Sequence, residues 1–103
     1  MSVIELDDVR DKATAALTAV EGDGGASPVL LAVVREFASK AAKAVKLGGD
    51  REWEAIVEVE QAGDSAKAAA EADPGAAPAT TASVQAAHLA ICMLKAGSAQ
   101  ATG

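Results

Sequence analysis

His88 and Cys92 stand four residues apart in a stretch with helical periodicity, so one helical face can present an imidazole and a soft thiol to the same copper or zinc ion. Met93 is next in line but lies about 100° round the helix. Two donors leave a tetrahedral site half built. A second copy of the helix across a dimer axis, or Glu and Met donors from other segments, would have to complete it. A small thiol packed in a core with a histidine at its edge is the commoner arrangement. The expected site content is therefore no metal and no cofactor, with His88 and Cys92 as the candidates if an ion binds.

Other chemistries lack their residues. Helical bundles that relay phosphate carry a Lys and a Gly shortly after an exposed His, whereas Ile91 and Cys92 follow His88 here and Lys95 and Gly97 arrive too late. A di-iron bundle needs Glu-x-x-His on two helices, and the chain has a single His, so Glu54 and Glu58 beside Arg51 read as solvated charge. Gly22 to Gly25 lacks the preceding strand and following Lys of a phosphate loop. The secreted helical-hairpin proteins marked by Trp-x-Gly are not matched, because Ala55 stands where that glycine would be. No enzyme activity is expected.

The elements that position these residues are helical throughout, since no stretch shows the β-branched alternation of a strand. Ser2 to Glu5 has the form of a capping box, with Asp7 as a competing cap, and opens a helix over about residues 3–21 whose Leu6, Val9, Ala13, Ala16, Leu17 and Val20 share a face. Gly22-Asp23-Gly24-Gly25 ends it. Ser27-Pro28 starts a second helix, 28–47, with Leu30, Val33, Val34, Phe37, Ala41, Ala44 and Val45 as its apolar stripe and Gly48-Gly49 as its stop. Asp50 caps a third, 51–72, anchored by Trp53, Ile56, Val57 and Val59; beyond Asp64 little but alanine is available for burial. Asp73 to Pro78 breaks the chain, and Thr80, Thr81 or Ser83 caps a fourth helix, 82–96, apolar nearly all round. That pattern predicts a central helix or one buried in a partner. Residues 1–96 form one domain, 97–103 a flexible tail, and no internal repeat or long heptad run is evident. The fold class is an all-α bundle of about four helices with an alanine-rich core.

Composition narrows function by exclusion. The 103-residue chain carries a formal charge of −6, one Cys and no Tyr. An acidic chain does not attract nucleic acid or anionic lipid directly. Pro28 to Leu47 holds five charged residues, and Ala82 to Leu94 is too short to span about 30 Å of hydrocarbon, so no membrane partner is expected. A lone Cys and an acidic N-terminus point to the cytoplasm, or to a particle assembled there. Leu, Ile, Val and Phe supply only about a fifth of the chain, a thin core that favours self-association.

The chain resembles, in length, alanine-rich core and acidic helical surface, the small helical subunits of tailed-phage heads and necks, and that resemblance implies a structural role in a larger particle. The expected function is a non-enzymatic interaction or assembly subunit whose partner is itself or another protein. Alternatives are an acidic inhibitor-type binder of a basic surface and a copper or zinc bundle using His88 and Cys92. The interaction residues are expected to be Trp53 and Phe37, Leu89 and Ile91 on the fourth helix, and the basic stripe of Arg35, Lys43 and Lys46, the last being a solvated face or a dock for an acidic helix of another copy. Trp53 is expected to be at least half buried.

Overall fold

A computed structural model describes residues 5–47 and 51–102, with side chains as far as residue 97. It shows four helices and, among the described residues, no strand: α1 Leu6–Glu21, α2 Pro28–Lys46, α3 Glu52–Ala72 and α4 Pro78–Thr102. The capping box of α1 is built by Glu5 and Asp8, and the helix starts at Leu6. At α2 the Ser27 hydroxyl accepts the Leu30 amide at 3.2 Å and Pro28 takes the first position, as expected for that pair. Ser2, Gly48, Gly49 and Asp50, read as cap and stop residues, lie outside the described residues.

Two boundaries of the last helix differ from the sequence reading. It begins at Pro78, four residues early, because the proline needs no amide donor and the fold supplies the missing cap from elsewhere in the chain. It also continues through Gly97 to Thr102 instead of ending at residue 96. In the second half of α3 it is alanine that is buried, Ala66 and Ala70 both lying in the core.

The helices run up, down, up and down at the corners of a bundle. α1 packs on α2 and α4, and α3 packs on the same two, leaving α1 diagonal to α3 and α2 diagonal to α4. No helix is central, which removes the first of the two alternatives expected for α4. Its largely apolar sequence, with Lys95 turned to Glu60 on α3, therefore has an outer side.

The two hairpins are copies of one unit. Buried positions fall in pairs separated by 50 residues: Val9 and Val59, Ala13 and Gly63, Ala16 and Ala66, Val20 and Ala70, Leu30 and Thr80, Val34 and Val84, Phe37 and Ala87, Ala41 and Ile91. The repeat that the sequence reading missed is thus a quasi-two-fold, with both hairpin loops at one end. Sizes alternate across it. Phe37 is large where Ala87 is small, and its ring settles over Gly63, where an added Cβ would meet Phe37 Cζ at 3.2 Å and Ile91 Cγ2 at 3.3 Å.

At the loop end the repeat closes on itself. Asp23 accepts the Gly25 amide at 3.0 Å through Oδ1, and through Oδ2 the Ala77 amide and Thr80 hydroxyl, both at 2.8 Å. Asp73 accepts the Gly75 amide at 2.9 Å and the Ser27 amide at 2.8 Å. Each aspartate therefore turns its own loop and satisfies an amide at the start of the other hairpin's second helix. These donated hydrogen bonds hold both carboxyls below the ordinary aspartate range, led at Asp23 by Ala77 and at Asp73 by Ser27.

Candidate functional site

Antiparallel packing of α3 on α4 builds a polar seam along one side of the bundle. Glu60 accepts from Lys95 at 2.8 Å at one level, and Glu71 accepts from Lys67 at 2.9 Å and from Gln85 at 3.0 Å at another. Hydrogen bonds from Lys67 first and Gln85 second hold Glu71 below its ordinary range, and the hydrogen bond to Glu60 holds Lys95 above its own.

Between those levels lie Asp64, His88 and Cys92, whose ligand-capable atoms all fall within 4.8 Å of one another; this is the one such group among the described residues. Asp64 Oδ1 is 2.6 Å from His88 Nε2, and Cys92 Sγ is 3.5 Å from Nε2 and 3.9 Å from Nδ1. His88 is mostly buried, Cys92 half-buried and Asp64 exposed. Burial, with the Glu60 and Asp64 carboxylates behind it, pushes the Cys92 thiol above its ordinary range. The four-residue spacing correctly puts His88 and Cys92 together. Asp64 was missed because it is on another helix, where spacing gives no signal.

The geometry separates two kinds of chemistry. A thiol relay needs the carboxylate on one imidazole nitrogen and the thiol on the other, so that the ring accepts a proton on one side while being oriented from the opposite side. Here the carboxylate holds Nε2 and the sulfur lies beside the ring, 3.5 Å from Nε2 and 3.9 Å from Nδ1, not opposite the carboxylate. Three donor atoms within 4.8 Å of one another suit a shared cation better than a relay.

The second feature is the outer side of α4. Its exposed residues up to Gly97 include Ala82, Gln85, Ala86, Leu89, Met93 and Ala96, without a charge among them. Leu89 is 58% exposed and Met93 53%. The repeat supplies an internal comparison, because α2 occupies the equivalent corner. At the equivalent positions α2 carries Ala32, Arg35, Glu36, Ser39, Lys43 and Lys46, all exposed. The fold accepts charge along that face in one copy and has none in the other.

Other residues expected at an interface are placed as follows. Phe37 and Ile91 are fully buried core residues, which removes them from any surface. Arg35, Lys43 and Lys46 line the outer side of α2, while Lys40 beside them turns to Glu58 at 2.9 Å and Glu36 at 3.8 Å. Trp53 is 43% exposed, so just over half of it is covered. No helix among the described residues is long and apolar enough to cross a membrane.

No family model, no curated protein and no solved structure matches the chain. The functional reading rests on these two features.

Proposed function

We propose that the protein is an assembly subunit that docks the outer side of α4 against the same face of a second copy. The observation that carries this reading is the difference between α2 and α4 at equivalent corners of the repeat. Leu89 and Met93 stand on successive turns where α2 presents Ser39 and Lys43, and Ala86 stands where α2 presents Glu36. Bundle packing does not account for the change, since both faces point outward. Ala82, Ala86 and Ala96 leave the helix surface low enough for another helix to approach closely, with Leu89 and Met93 as the anchors.

The test transfers the residues of α2 to α4. The variant Ala86→Glu, Leu89→Ser, Met93→Lys carries side chains that the fold already accommodates at the same corner. Light scattering of the unmodified chain should give a mass above that of one chain at tens of micromolar, and the variant should give the mass of one chain. A single-chain mass for the unmodified protein up to several hundred micromolar contradicts the proposal.

A further inference from the structure

We propose that Asp64, His88 and Cys92 form a binding site for one zinc-class divalent cation on the α3/α4 seam. The site is independent of α4 docking.

Donor type, distance and the repeat all support it. Imidazole nitrogen, thiolate sulfur and carboxylate oxygen are the set that zinc and its borderline-soft neighbours take. Zinc–nitrogen bonds of about 2.0–2.1 Å and zinc–sulfur bonds of about 2.3 Å place the N···S edge of a tetrahedron at about 3.5 Å. The Nε2 to Sγ separation of 3.5 Å equals that edge, and the 3.9 Å from Sγ to Nδ1 places the sulfur beside the ring, so a turn of the His88 ring or the Cys92 side chain brings it alongside the Nε2 lone pair. Asp64 Oδ1 lies 2.6 Å from Nε2, shorter than a tetrahedral N···O edge of about 3.4 Å, and a movement of under about 1 Å by this exposed side chain opens the gap. Water fills the fourth position from the solvent side, where Asp64 is exposed. On binding, the cation takes the place of the thiol proton and of any proton shared between Asp64 and His88, and both leave to solvent.

The repeat argues that this cluster is not a packing necessity. The positions equivalent to Asp64, His88 and Cys92 are Thr14, Ala38 and Ala42, none of which offers a side-chain nitrogen or sulfur donor. The α1/α2 seam is built without them. His88 and Cys92 therefore stand where alanine suffices for the fold, and Asp64 stands where threonine does.

Those equivalents define the variants. Zinc(II) alone should be titrated into the full chain, with a chromophoric chelator as competitor, and into His88→Ala, Cys92→Ala, Asp64→Thr and the triple variant. Helical content is checked by circular dichroism. The expected result is saturable uptake of one zinc per chain, weakened about tenfold or more by His88→Ala and by Cys92→Ala and abolished in the triple variant. Cobalt(II) as a second probe should show tetrahedral d–d absorption and a thiolate charge-transfer band that disappears in Cys92→Ala. Absence of saturable uptake by the unmodified chain overturns the proposal. Undiminished uptake by the triple variant overturns it equally, because the ion then sits on other carboxylates.

Discussion

Asp23 and Asp73 exchange hydrogen bonds across the quasi-two-fold: the carboxylate of Asp23 receives the Ala77 amide and that of Asp73 the Ser27 amide, each at 2.8 Å. Between them Gly25 and Gly75 approach so closely that a Cβ on either would overlap the carbonyl oxygen of the other. This junction fixes how the two hairpins meet, and with it the packing of α1 on α4 and of α2 on α3.

The first prediction concerns that junction. Gly25→Ala and Gly75→Ala should each lower stability by about 1–3 kcal/mol, the usual consequence of overpacking. Gly24 has open space around a would-be Cβ and corresponds to Pro74 in the repeat. Gly24→Pro should raise stability by about 0.4–1 kcal/mol by restricting the unfolded chain. Urea unfolding measures all three, and equal effects at positions 24 and 25 would contradict the close approach.

Acid stability should depend on the same pair. A carboxyl held below its ordinary value in the fold contributes stability that is complete above the unfolded pKa, about 3.9 for Asp, and is lost as pH falls through the depressed folded value. The thermal midpoint should therefore drop steeply below about pH 4. Asp23→Asn with Asp73→Asn should start lower at neutral pH and fall less steeply in acid. A double variant with the unmodified pH profile would remove these carboxylates from the account.

Core and surface aromatics should behave differently. Phe37, fully buried over Gly63, should cost about 3–5 kcal/mol on truncation to alanine. Trp53, 43% exposed, should cost clearly less, with emission between that of buried and free indole. A larger loss at Trp53 than at Phe37 in chemical denaturation would reverse this ranking.

Cys92 should label slowly in the native state and quickly after denaturation, because burial and two neighbouring carboxylates disfavour its thiolate. Asp64→Asn removes one of those charges and should speed native labelling by a thiol reagent. An unchanged rate would mean that Asp64 exerts no field on the sulfur.

Four helices and most of their core residues were legible because glycine, proline and apolar spacing act locally. The repeat was not, although Asp-x-Gly-Ala-x-Pro occurs at residues 23–28 and again at 73–78. Between those motifs the fold constrains the summed size of facing side chains rather than identity, so Phe37 and Ile91 over Gly63, with Ala87 and Ala41 at the equivalent positions of the first two and Ala13 at that of the third, hide the relationship. The same local bias placed the cap of α4 too late: its amide is satisfied by Asp23, 54 residues away. Apolar content alone does not say which side of the nearly all-apolar α4 meets the core, so in the sequence Ile91 reads as an interface residue as readily as Leu89. Asp64 joined the site through helix pairing, which spacing along one helix does not encode.

The thermal midpoint as a function of protein concentration tests most directly whether the outer side of α4 is completed by another copy. Mass action makes an associating chain more stable as concentration rises. The account predicts a midpoint that climbs over a hundredfold concentration range for the unmodified chain and stays flat for Ala86→Glu, Leu89→Ser, Met93→Lys. A flat midpoint for both proteins would contradict it.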